Sequence, residues 1–337
     1  MKTALNVRCS FYNGNIIFPL VQANPCKRKL TLLKLSALLA AGVLILLLNR
    51  LFPKSQKHFQ YFRLRFIYGN FTEVKINEYY MIIDTHCHLY AKEFEEDLDG
   101  IMKRAADNGV EKFYLPAIDS ETTDAMLSLE KTYPGKCFAM IGLHPCSVKT
   151  NYTEELDIIE RLLATRKFAA IGETGLDFYW DKTFIKEQYI ALERQVELAL
   201  QYDTPIVLHT RDALQETIDV IRNYTAAGLK GIFHCFGGSA AEASQIINAG
   251  FYLGIGGVVT FKNAGLAELL QHIDLSHIVL ETDAPYLSPA PFRGTRNESS
   301  YLKYILDKVA EIKNISAKEV AMITTANAEN IFKHTSI

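Results

Sequence analysis

From Met81 to Asp283 the chain repeats one unit: a short apolar run, a titratable or polar residue at its end, then a stretch with helical spacing. The runs are MIID (81–84), KFYLPAI (112–118), CFAMIGLH (137–144), FAAIGETG (168–175), PIVLHT (205–210), GIFHCF (231–236), FYLGIGG (251–257) and HIVLETD (277–283). Segments 94–107, 154–165, 184–202, 212–223 and 240–248 are among the helices expected between them, with Gly109 and Gly250 where helices stop. Strands covered by helices on both faces need continuous apolar runs, and these runs have that character. Such a series of eight predicts a closed α/β structure, the (β/α)8 TIM barrel, which uses about 250 residues as one domain. The competing arrangement is an open, doubly wound sheet, which calls for a glycine-rich phosphate loop after its first strand. DTHCHLY, which stands at that point, contains no glycine.

The residues closing these runs carry the chemistry. His86 and His88 follow the first run, His144 ends the third, and Glu173 and Asp177 end the fourth. His209 and Arg211 end the fifth, His234 the sixth and Asp283 the eighth. In a barrel these ends converge on one face, where active sites are built. A single His on an apolar strand is more often a hydrogen-bonded core residue than a ligand. Six candidate ligands at strand ends reverse that expectation. Residues i and i+2 of a strand share a face, so His86 and His88 can grip one cation together. Glu173 has two oxygens and can bridge two cations, while His209 and His234 complete the second. Asp283 can bind a metal and also take a proton from the water that a metal activates. Four imidazoles and two carboxylates suit Zn²⁺ or Mn²⁺ better than Mg²⁺ on ligand softness, so two divalent ions drawn from Mg, Mn and Zn are expected. Cys87 and Cys235 sit beside ligands, where strand alternation turns them away as small packing residues.

Charge separates the first 80 residues from the rest. Of 36 Lys+Arg and 38 Asp+Glu, residues 1–80 hold 12 and 2, a net of +10, which leaves 24 and 36 beyond, a net of −12. A barrel of net −12 does not bind nucleic acid by broad electrostatics, so any such contact must be local to a site. Leu30–Leu48 reads LTLLKLSALLAAGVLILLL with Lys34 its only charge. At about 1.5 Å per residue this run reaches roughly the thickness of a bilayer core. The heavier basic cluster after it would keep the barrel cytoplasmic. The alternative is that Met81 is the true start, with residues 1–80 a misassigned extension and the protein simply cytoplasmic. In either case residues 1–80 carry no credible ligand, since His58 is isolated, and the chemistry is expected to need only residues 81–337. The six cysteines, Cys9, Cys26, Cys87, Cys137, Cys146 and Cys235, fall at no disulfide-like or CxxC spacing, which fits a reducing compartment.

The segments IIDTHCHL, IGLHP, AIGETGLDFYW, IVLHTRDA, GIFHCFGGS, YLGIGG, VLETDAPYL and PFRGTRNE, in this order, resemble the TatD family of metal-dependent deoxyribonucleases, within the amidohydrolase-like barrels. The likeness runs from Met81 nearly to the end and has no counterpart in residues 1–80. It implies metal positions at His86, His88, Glu173, His209, His234 and Asp283, and a substrate contact at His144. It also implies hydrolysis of DNA phosphodiester bonds, with Asp283, Glu173 and His144 catalytic. Gly237 stands where the family usually has Ser, and Ser299 where it usually has Pro; neither is a ligand, and the second removes a favoured first-turn proline. Arg211, Arg293 and Arg296 place cations at the rim of an acidic domain, where a phosphate chain could dock. Tyr179 and Trp180 could stack a base or cover the barrel top. Two other functions compete: hydrolysis of an amide or aminoacyl ester on the same centre, and a non-enzymatic membrane-tethered scaffold. No protein partner is evident.

Overall fold

The structure is a computed structural model that describes residues 10–12, 15–17 and 80–333. The chain divides into Met1–Ile76 and Asn77–Ile337. In the first unit Ser10–Tyr12 pairs antiparallel with Asn15–Ile17. The expected membrane segment, residues 30–48, and its basic flanks lie outside the described residues, among which no helix is long and apolar enough to cross a membrane.

The second unit is a ring of eight parallel strands. They are β1 (Ile82–Asp84), β2 (Val110–Leu115), β3 (Cys137–Ala139), β4 (Ile171–Asp177), β5 (Ile206–Arg211), β6 (Gly231–Phe233), β7 (Tyr252–Ile255) and β8 (Ile278–Leu280). Ladders run β1-β2-β3 and β4-β5-β6-β7-β8. Parallel bridges Ile141–Ile171 and Cys87–Ala284 join the two sheets and close the barrel. Every expected strand is present, but several ladders stop short of the run that predicted them. β3 ends at Ala139 and β8 at Leu280, with only single parallel bridges, at Ile141 and Ala284, beyond these points.

Nine helices among the described residues pack on the ring: α1 (Leu98–Asp107), α2 (Ser120–Thr132), α3 (Tyr152–Thr165), α4 (Ile185–Gln201), α5 (Leu214–Arg222), α6 (Ala240–Asn248), α7 (Leu266–Leu270), α8 (Leu302–Lys313) and α9 (Ala317–Ile331). Expected helix 94–107 begins later, after a separate turn at Lys92–Phe94. Gly109 and Gly250 follow α1 and α6 with φ of 82° and 84°, the left-handed stop that a glycine makes without steric cost.

Strand alternation sorts the core into two shells. Ile82, Phe113, Leu208, Phe233, Ile278 and Leu280 pack outward against the helices. Their neighbours Ile83, Tyr114, Val207, Ile232 and Val279 form an inner cluster with Ile331 and Phe332 at the end of α9. Phe332 stacks on Tyr114 at 3.8 Å, so α9 plugs one end of the barrel. The inward parity that buries Val207, Ile232 and Val279 continues along the same strands to His209, His234, Glu281 and Asp283 at the open end.

Candidate metal centre

Glu173, on β4, is the hub of the open end. Its Oε2 lies 3.1 Å from His86 Nε2 and 3.6 Å from His88 Nε2. Its Oε1 lies 2.8 Å from His209 Nδ1, 2.8 Å from His234 Nε2 and 3.4 Å from His144 Nε2. Asp283 Oδ1 approaches both His86 and His88 at 3.6 Å. All six residues expected to hold metal therefore meet in one cluster, together with His144. Three groups, His86–His88–Glu173, His86–His234–Asp283 and His144–Glu173–His209, each offer ligand atoms within 4.8 Å of one another.

Burial raises the Glu173 carboxyl, but the surrounding His234, His144 and His86 outweigh it and hold the group well below the usual carboxylate range. His86 is pulled down by burial and then by the charge of His234, whose ring stacks on it at 3.9 Å. Burial opposes protonation of His234 too, yet Glu173 drives that ring well above its ordinary value. Two imidazolium rings face to face would repel, whereas two neutral rings with lone pairs aimed at a cation would not. Both ring nitrogens of His86 are buried without a hydrogen-bond partner, a costly state unless an ion takes the lone pair. Imidazole nitrogens with carboxylate oxygens, and no thiolate, form a donor set that fits Zn²⁺ or Mn²⁺.

Neighbouring groups fix which nitrogen of each ring faces inward. Tyr90 OH donates to Pro116 O at 2.6 Å, so at 2.9 Å it must accept from His88 Nδ1–H, which leaves Nε2 with its lone pair toward the centre. Cys146 N–H donates to His144 Nδ1 at 3.1 Å, so neutral His144 carries its proton on Nε2 and points a donor at the site. His144 is thus built to donate to an oxygen rather than to bind an ion. His234 Nδ1 sits 3.5 Å from Glu281 Oε1, near but not aligned for a hydrogen bond. His209 lies between two carboxylates, with Nε2 2.9 Å from Asp177 Oδ2. Burial works against its charge, but Asp177 and Glu173 raise its pKa.

Several supporting groups had no role in the sequence reading. Glu281 is wholly buried, accepts from Cys235 N–H at 2.5 Å and leaves Oε2 without a partner. It fits only because residue 254 is glycine, where a Cβ would stand 2.3 Å from Glu281 Oε2. Asp84 is fully buried, with its carboxyl pushed up to about 7 by burial against hydrogen bonds from Ser299 and Thr282. It accepts from Thr282 N–H at 2.9 Å, Thr282 OH at 2.6 Å and Ser299 OH at 2.6 Å. Asn297 donates to Thr282 O at 2.7 Å, and Asp283 N–H to His86 O at 2.9 Å. These bonds brace Asp283, whose φ of 57° lies in the left-handed region that residues other than glycine adopt uncommonly. Ser299, where the resembled family usually has proline, thereby gains a bond that proline could not make. Strand parity inside HIVLETD is the signal that could have found Glu281, two residues before Asp283; nothing in the sequence points to Tyr90.

The rim arginines separate. Arg211, ending β5, lays its guanidinium over Tyr179 at 4.1 Å and Trp180 at 5.4 Å. Arg293 covers Phe261 at 3.9 Å. Arg296 pairs with Asp97 at 2.8 and 2.9 Å and lies over Phe94, so it is committed to bracing the fold rather than free for phosphate. The thiols of Cys87, Cys137, Cys146 and Cys235 are free. Cys87 is buried with its Sγ toward Tyr114 O, in line with a packing role, whereas Cys235 is only partly buried.

A family model described as TatD related DNase matches residues 83–333. The chain is 39% identical over 254 residues to the uncharacterized metal-dependent hydrolase YabD of Bacillus subtilis, covering 75% of this chain and 99% of that protein. It is 30% identical to the 3'-5' ssDNA/RNA exonuclease TatD of Erwinia tasmaniensis, covering 74% of this chain and 99% of the relative. Among solved structures, the TatD homolog YjjV of Escherichia coli superposes with a TM-score of 0.71 at 29% identity, over 75% of this chain and 98% of that one. With its carboxylate–histidine centre at the open end of the barrel, this chain belongs to the TatD-related DNase family and is a metal-dependent hydrolase.

Proposed function

We propose that the protein is a deoxyribonuclease that cleaves DNA phosphodiester bonds with two divalent ions. One observation carries this: the two oxygens of Glu173 face different histidines, Oε2 toward His86 and His88 and Oε1 toward His209 and His234. A carboxylate so divided suits a bridge between two ions. His86, His88 and Asp283 would hold the first, and His209 and His234 the second. When bound, such ions polarise a phosphoryl oxygen and lower the pKa of water.

The protein's own groups do the rest. Burial raises the Asp283 carboxyl, but hydrogen bonding to His88 and the charge of His234 outweigh it, so Asp283 is ionised near neutral pH and can accept the proton of the attacking water. His144 presents its Nε2–H to a non-bridging phosphate oxygen, and Arg211 supplies a cation at the rim. The name of the Erwinia relative and the description of the family both support a nucleic-acid substrate.

The test is metal-reconstituted protein incubated with single strands blocked at the 5′ or the 3′ end, beside a panel of amide and aminoacyl-ester substrates. Metal-dependent release of nucleotides is the expected result. Turnover of the esters or amides with intact oligonucleotides would overturn the phosphodiester assignment and favour the carbonyl chemistry instead.

A further inference from the structure

Beyond the metal centre, the loop after β4 holds Tyr179 and Trp180 at 50% and 66% exposure, a costly display of aromatic surface at the mouth of an acidic domain. The two rings meet edge to face at 4.9 Å and 88°. Arg211 lies over both, and among the described residues no carboxylate pairs with its guanidinium. The Asp177 side chain ties the backbone of this loop to the site. Asp177 Oδ1 accepts from the backbone N–H groups of Tyr179 and Trp180, each at 2.9 Å, while its Oδ2 reaches His209. One carboxylate therefore couples the exposed rings to the centre.

We infer that Tyr179, Trp180 and Arg211 form a stacking subsite for one unpaired nucleobase next to the bond being cleaved, with Arg211 also meeting the adjoining phosphate. Stacking on an aromatic face tolerates every base but requires that one be present. The subsite makes the enzyme sensitive to a missing base and indifferent to its identity. This rests on the phosphodiesterase assignment, and the experiment keeps the two apart.

Trp180 is the chain's single tryptophan, so its fluorescence reports this position alone. The metal-reconstituted full chain is titrated with a phosphorothioate oligothymidylate, which resists cleavage, and with an abasic strand of equal length. Saturable quenching by the first and none by the second is expected. With cleavable strands, Trp180→Ala should raise KM by roughly five- to hundredfold. Trp180→Phe should recover most of the loss, because it restores a stacking face. Equal quenching by the abasic strand, or an unchanged KM in Trp180→Ala while DNA is still cut, would overturn the subsite and leave the nuclease assignment standing. Base-dependent quenching with no cleavage at all would overturn the nuclease assignment and, with it, the placement of the subsite beside a cleaved bond.

Discussion

On the floor of the barrel mouth five imidazoles crowd around the buried Glu173, whereas on the rim Arg211, Arg293 and Arg296 stand where water reaches them. Floor charges are desolvated, so every change there is felt by several partners at once. Rim charges are screened and act nearly singly. What decides a rim residue's role is whether a carboxylate has already claimed it. Arg296 is claimed by Asp97; Arg211 rests on aromatic rings with its donors available. Chemistry on the floor follows from residue type, while chemistry on the rim follows from the absence of a competing partner.

The largest effects should come from the floor. Glu173→Ala removes the group toward which all five imidazoles converge, and should abolish metal loading along with activity, a loss of roughly 10³-fold or more. Metal content by elemental analysis and turnover should fall together. His144→Ala should cost roughly 10²–10³ in turnover with metal content intact, since its inward nitrogen carries a proton. Metal loss in His144→Ala would make it a ligand and erase its distinction from the other four rings.

Glu281 tests how deep the floor extends. Glu281→Gln keeps the shape but removes the charge beneath His234, and Gly254→Ala drives a methyl against the same carboxylate. Each should weaken metal affinity by roughly 10- to 100-fold in a chelator competition, the usual cost of losing a group that orients a liganding imidazole. Unchanged affinity in Glu281→Gln would confine the centre to its direct ligands.

Much of this was legible in the sequence, and unevenly. All eight strands and the convergence of His86, His88, Glu173, His209, His234 and Asp283 follow from apolar runs and from what ends them, because backbone direction and strand parity are local properties. Parity should also have exposed Glu281, two residues before Asp283 on an inward-facing register. Asp177 was noted at a strand end, but its hold on both His209 and the Tyr179–Trp180 loop depends on contacts that spacing alone does not carry. The rim was the least legible part. Arg211 and Arg296 look alike in sequence, and only the pairing of Arg296 with Asp97, 199 residues away, separates them.

The next effect contrasts those two arginines. Arg211→Ala should raise KM for DNA by roughly tenfold without moving Tm, as expected for a lost phosphate contact. Arg296→Ala should leave KM unchanged and lower stability by about 1 kcal/mol, or roughly 2–4 °C in Tm. If Arg296→Ala weakens substrate binding instead, its pairing with Asp97 is not its main role and the rim division fails.

The smallest effect lies beneath the rim, in the pair that anchors α1 to the 297–301 segment. Glu298 takes a bidentate grip from Arg104, Nε at 2.8 Å and Nη2 at 2.6 Å, with the Glu298 side chain only 7% exposed and that of Arg104 45%. Burial raises the Glu298 carboxyl, but the Arg104 hydrogen bonds outweigh this and hold it below its ordinary value. A carboxyl depressed in the folded state contributes stability that is fully present above its unfolded pKa of about 4.3 and is lost as pH falls through the folded value. Because Arg104 is nearly half exposed, screening limits the contribution to about 1 kcal/mol. The stability difference between the native chain and Glu298→Gln, measured by urea denaturation, should therefore stay constant above about pH 5 and shrink toward zero in more acidic solution. Taking the difference cancels the acid response of the histidine centre, which both proteins share. A difference that stays constant down to pH 3 would mean that Glu298 acts by shape and hydrogen bonding alone, not by its charge.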